Sequence, residues 1–491
     1  MQFRILTFIC IFGILSGCND KIETDIPPGS EGTENPSEPG LPPEDSTPSW
    51  PEGETGKSYV WDKEHIPHIT VYVKKNNWKT ILDGYDNYTS KSAYVGCNVV
   101  FDKNGVRDSI SNVALRLRDN NDAMRPTDSL NEMYINNQSQ WNLSNYELNF
   151  TRFVNKESNS LRKVNGLFLK SCYNDPTLSR ERYCYDLYER LGIWTIARNT
   201  YCRLSFHVEG DTNPAYLGVY QMIEPVDNSY LEDRKGHFGN TKGNLWKCHA
   251  GASLSTTVNL KTGVETNDGA TPVYMLITPN STIGDATQQL KSFINNLTTI
   301  DNSRFKEWIE SICDVRLLLY TYAVNVTVGM WDDYWNNANN YYLYFDSTSA
   351  DSYKVYMIPH DHEMSLGNSS SAHMPEPALQ DPFNWGKSKT PLIKRILSVD
   401  EYRLMYGDII LELLQQGNYL FYYYEAIDMI KDLMYEVEPY TKNITGINMT
   451  PIDKPGPKSS NKTYRLTQDG RDCFFYQRLM ALNEFITTQQ N

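Results

Sequence analysis

Between Met330 and Gly367 the chain reads MWDDYWNNANNYYLYFDSTSADSYKVYMIPHDHEMSLG, and its chemically able residues fall into two groups. The first is the acidic, amide-rich loop Asp332–Asn340. The second is Pro359–Gly367, which carries Asp361 and Glu363. Carboxylates and amides brought together suit a hard cation with oxygen ligands. Alone, an Asp-Asp pair is ordinarily a solvated loop or a helix cap; what gives these residues weight is the segment between them. Tyr341–Phe345 (YYLYF) is aromatic and reads as a strand, Tyr353–Ile358 (YKVYMI) alternates and reads as a second, and the turn-forming Asp346–Asp351 run lies between. An antiparallel hairpin sets the start of one strand beside the end of the other, so both loops arrive at one end.

Asp332 and Asn337 have Asp-x4-Asn spacing, followed by a hairpin and then Asp361. Protein kinases place a catalytic-loop Asp, an Asn and a metal-binding Asp in that order. The run His360-Asp361-His362-Glu363 also invites a metallohydrolase reading. However, alternate residues of an extended segment point to opposite sides, which turns both histidines away from Asp361. No HExxH and no GxSxG occurs, so zinc-hydrolase and serine-hydrolase chemistry have no motif to rest on.

The elements that must position these groups lie in a long body behind a short leader. Arg4 and the apolar run Ile5–Leu15 have the form of a secretory signal, too short to span a bilayer. It ends in Leu15-Ser16-Gly17-Cys18, which resembles a bacterial lipoprotein signal with Cys18 as the lipidated residue, so residues 1–18 are read as a signal peptide. The acidic residues that follow, Asp20, Glu23 and Asp25, resemble those of lipoproteins sent to the cell surface. Residues 19–57 are Pro-, Gly-, Glu- and Ser-rich, with ten acidic and two basic residues, and are expected to form a disordered tether. From Ser58 onward 43 basic residues face 50 acidic ones, and this mildly acidic body argues against nucleic acid as a partner. Seven cysteines remain beyond Cys18, an odd number without a CxxC pair, which reads as buried thiols rather than a zinc site or a full disulfide framework.

In the body, Ile66–Leu82 reads as a strand and a short helix. Tyr94–Phe101 and Ser111–Leu117 read as paired strands about the turn Asp102–Gly105, and Tyr146–Phe150 and Gly166–Leu169 as short strands. Ser179 is expected to cap a helix, Arg180–Leu191, with Tyr183, Cys184, Leu187, Tyr188 and Leu191 on its apolar face. Strands Cys202–Val208, Leu217–Ile223 and Gly243–Lys247 follow, then a polar loop, Thr256–Asp285. From Gln289 onward helices dominate: Val315–Val328, Leu392–Leu397, Glu401–Gln416 with a stripe of Leu404, Met405, Ile409, Leu413 and Leu414, Tyr423–Val437 and Cys473–Thr487. The fold class is therefore α+β, with a β-rich part over residues 58–250 and a mainly helical part over 251–491.

The blocks GLFLKSCYNDPTLSRERYCYDLYERLG (166–192), AYLGVYQMIEPVDNSYLEDR (215–234), GNLWK (243–247), WDDYWNNANNYYLYF (331–345), MIPHDHEMSLG (357–367) and PLIKRILSVDEYRLMY (391–406) resemble, in order, the spore-coat protein CotH kinase family. The resemblance implies an atypical protein-kinase-like fold of two lobes. It also implies transfer of phosphate from ATP, with a divalent metal such as Mg2+, to protein Ser/Thr hydroxyls. Asp332 looks like the catalytic-loop Asp, and Asn337 and Asn340 like loop amides that serve as metal ligands. Asp361 matches the metal-binding Asp, and Glu363 stands where the family usually has a second Asp. Lys170, Arg180, Glu224 and Lys247 match positions for phosphate contact or for the ion pair that orients it.

The sequence departs from the family in two further places. The Arg-Gly-Asn-Ser/Thr turn is Arg118-Asp119-Asn120-Asn121, losing the Gly that lets backbone N–H groups approach phosphate and adding a repelling charge. The Lys-Lys-x-Tyr stretch is Leu143-Ser144-Asn145-Tyr146, without lysine. A second reading therefore stands beside the first: a tethered, Tyr-rich surface protein that uses a kinase-like scaffold for binding or adhesion without catalysis.

Overall fold

The computed structural model describes residues 56–490 apart from 88–92, 119–123, 129–139, 155–156, 266–270, 370–373, 387–389, 458 and 461–462. The signal, Cys18, the tether and the altered turn residues Asp119–Asn121 lie outside the described residues.

Twelve helices and twelve strands are described, a mixed α+β chain. The first helix is α1 (Lys57–Trp61). Seven strands then close into a barrel: β1 (His68–Val73), β2 (Val95–Lys103), β3 (Val106–Leu117), β4 (Tyr146–Asn149), β5 (Gly166–Ser171), β6 (Asn199–Val208) and β7 (Ala215–Ile223). Neighbours run β1-β2-β3-β4-β5-β7-β6, and β1 closes the ring on β6 in parallel, His68 opposite Arg203. The HITVYV alternation of β1 sends Ile69, Val71 and Val73 to the interior. Helix α2 (Lys75–Asn87) lends Trp78, whose ring lies 5.5 Å from Trp141 and 5.2 Å from Phe206 in the barrel core. Closure removes the sheet edges that a β-rich lobe would otherwise expose. The expected strands are present, and the turn expected at Asp102–Gly105 narrows to Asn104-Gly105 because β2 continues to Lys103 and β3 starts at Val106.

Helix α3 (Arg180–Arg190) crosses from the barrel to the helical part. The expected single apolar face is corrected, because every residue from Arg180 to Tyr188 is buried. The expected Ser179 cap is corrected as well. Its side chain makes no capping bond; instead Asp175 Oδ2 accepts from the Arg180 N–H at 2.8 Å.

After α4 (Asn228–Asp233), a second sheet is built from β8 (Asn244–Cys248), β9 (Thr262–Val264), β10 (Tyr274–Leu276), β11 (Tyr341–Phe345) and β12 (Val355–Pro359). Its order is β12-β11-β8-β10-β9. Two of these strands lie in the stretch read as a long polar loop. Three-residue strands carry no periodicity of their own, and only pairing defines them, β10 on β8 and β9 on β10.

The remaining helices are α5 (Ile283–Thr299), α6 (Asn302–Ile312), α7 (Val315–Thr327), α8 (Tyr334–Asn337), α9 (Pro391–Ile396), α10 (Asp400–Leu414), α11 (Tyr423–Val437) and α12 (Phe474–Gln490). Helix α7 is apolar nearly all round and sits at the centre, packed against α3, α10 and the hairpin. In α10 the buried stripe is Tyr402, Tyr406, Ile409, Ile410, Leu413 and Leu414, whereas Leu404 is 60 % exposed, one helical step off the expected face. No helix among the described residues is long and apolar enough to cross a membrane. The seven cysteines after Cys18 are free thiols, all buried except the half-buried Cys313.

Candidate functional site

The hairpin β11–β12 has the register Tyr341 opposite Pro359, so the loop before β11 and the loop after β12 leave the sheet side by side. In the first loop Asp333 caps α8, its Oδ1 accepting from the Asn336 N–H at 2.8 Å. The helix stops after one turn because Ala338 and Asn340 adopt left-handed backbone, φ 51° and 54°. This reversal folds the amides of Asn337, Asn339 and Asn340 back onto Asp332. Asn340 Nδ2 donates to Asp332 Oδ2 at 2.9 Å, Asn339 Nδ2 to the same oxygen at 3.2 Å, and Asn337 Nδ2 to Asp332 Oδ1. Asn337 and Asn340, expected as metal ligands, thus orient Asp332 through their nitrogens. Asn339, not singled out in the sequence, does the same.

The second loop leaves β12 as His360-Asp361-His362-Glu363, and Asp361 has φ 61°. Such backbone is strained for a residue with a Cβ, and it ends the extended alternation at that point. His360 points to Arg118, 3.0 Å from its guanidinium, and edge-on to Tyr342. His362 is buried between Tyr185 and Tyr188, its Nε2 2.9 Å from Asn325 Oδ1. Burial, followed by the nearby cations Arg118 and Lys247, holds the His360 imidazole well below its usual pKa, and burial brings His362 to about 3. Both rings are therefore neutral.

Asp361 meets Lys170, which reaches in from β5. Three carboxylates surround this lysine: Asp361 in direct contact, Glu181 at 2.8 Å from α3, and Glu363 at 3.4 Å. Lys170 is buried. Burial works against its charge, but Asp361, Glu181 and Glu363 outweigh it and hold the ammonium well above its usual pKa. Of the three carboxyls sharing one cation, burial works against the charge of Asp361, but Lys170 reverses this and keeps it below the usual carboxylate range. Burial pushes Glu363 up to about 7 despite Lys170. The side chains of Asp361 and Glu363 keep 25 % and 24 % of their surface in solvent, so the group opens on that side. Glu181 is closed off at 2 % and also accepts the His362 N–H at 3.0 Å.

The other expected phosphate contacts divide. Lys247 sits on β8 opposite Tyr342 and close enough to His360 to depress its pKa, which places it beside the group. Arg118, at the end of β3, covers the Phe168 ring at 3.6 Å on the same side. Arg180 corrects the expectation of phosphate contact: it is fully buried, with Nη1 2.5 Å from Asp175 Oδ1 and Nε 3.4 Å from the Leu366 carbonyl. Glu224 is likewise corrected. It pairs with Arg198 at 2.6 Å and Arg234 at 2.8 Å rather than with Lys170. The partner of Lys170 is Glu181, the residue next to Arg180 in the SRER run.

Among the described residues no three His, Cys, Asp or Glu side chains form a ready-made metal cage. Mg2+ does not require one, since it is held by one or two carboxylates together with substrate phosphates. The partly open Asp361 and Glu363, hard oxygens fixed at the mouth of the group, fit that use.

A strand lysine paired to a helix glutamate and to a loop aspartate, beside an Asp-Asn loop, is the charge arrangement of a kinase-like site. The family profile described as CotH kinase protein matches residues 136–448, well over half of the chain, and the chain belongs to the CotH kinase family. No curated protein matches the sequence at a significant level.

Proposed function

We propose that this chain is an exported lipoprotein whose CotH domain transfers phosphate from ATP, with Mg2+, to a Ser/Thr hydroxyl of a protein. The observation that supports this reading above the others is the joining of Lys170 to Glu181 and Asp361 in one buried group. In the two-lobe kinase scheme a strand lysine held by a helix glutamate is pre-aimed at nucleotide phosphates. Lys170 does that here, with Arg118 and Lys247 adding positive charge on the same side. Asp361 and Glu363 would hold the metal. When bound, Mg2+ neutralises charge on the transferred group. Asp332, its oxygens oriented by three amides, receives the hydroxyl proton of the acceptor. His360 and His362, buried and neutral, take no part as acids. Cys18 carries the lipid, and the tether joins the domain to the envelope membrane.

Thermal unfolding of the full-length chain with ATP, with and without Mg2+, tests the reading. At about a hundredfold excess over Kd, ligand adds about 2.7 kcal/mol. The expected result is a Mg2+-dependent rise in melting temperature that Asp361→Asn abolishes. Asparagine is chosen because it tolerates the positive φ at this position. No rise at millimolar ATP in a folded protein sinks phosphoryl transfer. It leaves the binding-scaffold reading, which draws on the exposed tyrosines Tyr419, Tyr424 and Tyr435.

A further inference from the structure

The loop bearing Asp361 and Glu363 does not end in solvent. It runs through Gly367 into Asn368, a buried amide whose hydrogen-bonding groups reach four separate segments. Its Nδ2 donates to the Glu363 carbonyl at 3.1 Å and to the Asn174 carbonyl at 3.2 Å. Its Oδ1 accepts from the Gly456 N–H at 2.9 Å. Its own carbonyl accepts from Trp331 Nε1 at 3.0 Å. Glu363 lies in the carboxylate loop, Asn174 follows the strand of Lys170, and Trp331 precedes Asp332. Gly456 belongs to the irregular segment between α11 and α12, beyond the residues that the family profile matches.

That segment is fastened along its length. Ile444 N–H donates to Tyr216 O at 2.9 Å, Asn448 Nδ2 to Cys172 O, Ile452 N–H to Pro176 O at 2.8 Å and Ser459 Oγ to Ser369 O at 2.9 Å. At Gly456 the approach is so close that a Cβ would stand 1.9 Å from Asn174 O and 2.7 Å from Asn368 Oδ1, so only glycine fits.

We infer that Asn368 is a positioning residue through which the segment around Gly456 fixes the Asp361–Glu363 carboxylates against the Lys170 strand, and thereby sets their affinity for a divalent cation. The inference rests on the reading of these two carboxylates as cation-holding. A side-chain amide is suited to the task. It donates twice and accepts once here, and none of its partners is a side chain that titrates. Groups that orient metal-holding carboxylates typically change affinity by about 10–100-fold when altered.

The test is direct Mn2+ binding to the full-length chain, followed by electron paramagnetic resonance, with hydrogen exchange of the amides from Asp361 to Gly367 measured in parallel. Asn368→Asp keeps the acceptor toward Gly456 and removes both donors. Gly456→Ala displaces the segment from the other side and serves as the second variant should the first fail to fold. The expected result is Mn2+ affinity weakened about tenfold or more in a chain whose circular dichroism is unchanged. A residue that merely supports the fold does not alter the affinity of a fully folded protein. Wild-type affinity in a folded variant overturns the inference. If the wild type binds no Mn2+ either alone or with ATP present, the phosphoryl-transfer reading fails, and exchange decides the positioning role. Faster exchange confined to Asp361–Gly367 in the variants supports it, and unchanged exchange there overturns it.

Discussion

Lys170 Nζ stands 2.8 Å from Glu181 Oε2, an ion pair that joins barrel strand β5 to the first turn of helix α3. Both side chains are almost closed to water, at 6 % and 2 % exposure, so the pair is held in a medium that screens it poorly. The same ammonium also touches Asp361, so the strand, the helix and the hairpin loop meet at one charge. Each partner raises the penalty for losing the others.

Replacing Lys170 by Met removes the cation and leaves Glu181 buried without its counter-charge. Breaking one side of a buried pair typically destabilises by about 3–5 kcal/mol. Lys170→Met is therefore expected to lower the unfolding free energy by about that amount in urea. Glu181→Gln in the same chain should restore a substantial part of it. Additive losses in the double variant would show that the two side chains do not share their energy.

Asp332→Asn separates chemistry from binding. Lys170 is held by Glu181, Asp361 and Glu363, whereas the Asp332 carboxylate is held by Asn337, Asn339 and Asn340, so nucleotide affinity measured by thermal shift should match the wild type. Turnover should fall by about 10²–10⁴-fold, the usual contribution of a positioned base. Asn339→Ala, which removes one of the amides orienting Asp332, should lower kcat with KM for ATP unchanged. An equal loss of nucleotide affinity in both variants would place Asp332 in phosphate binding instead.

Much of this site was legible because it is built from local signals. The hairpin and the approach of its two flanking loops follow from YYLYF, YKVYMI and the turn residues between them, whereas its register, with the second strand at Val355–Pro359, does not. The charge partners were less legible. Glu181 and Glu224 are each one acidic residue in a polar run, and which of them reaches Lys170 depends on the barrel order that places β5 beside β7 and on how α3 crosses it. Glu224 is taken by Arg198 and Arg234, a choice that only tertiary packing makes. Helix α3 misleads for a related reason. Arg180, Glu181, Arg182 and Asp186 look like a solvated face, yet they are buried as paired charges. Asn368 gave no signal at all, since its partners are backbone groups distant in sequence.

Arg180 is expected to act on stability and not on nucleotide. Its guanidinium holds Asp175, itself buried, and reaches the Leu366 carbonyl below the carboxylate loop. Arg180→Met should therefore destabilise the chain by about 3–5 kcal/mol in denaturant titration. Arg180→Lys should recover only part, because a point charge cannot match the forked contact. A folded Arg180→Lys protein with wild-type stability and weakened ATP binding would return Arg180 to the phosphate site.

Asp333 makes folding sensitive to pH in the direction opposite to an exposed salt bridge. Burial, with a smaller contribution from Asp332, pushes its carboxyl up to about 7, while the Asn336 N–H bond opposes the rise. The unfolded chain has the ordinary value near 3.8, so between these two values the folded state binds the proton and the unfolded state has released it. Stability from this group is accordingly complete below pH 3.8 and declines as pH rises towards 7, by up to about 1.4 kcal/mol per pH unit. Asp333→Asn keeps the Oδ1 acceptor that caps α8 and removes the titration. The unfolding free energy measured from pH 4.5 to 7 should therefore fall less steeply in Asp333→Asn than in the wild type, with the two curves diverging towards pH 7. Parallel curves over that range would mean that Asp333 is already ionised in the folded protein, its charge carried by the Asn336 N–H.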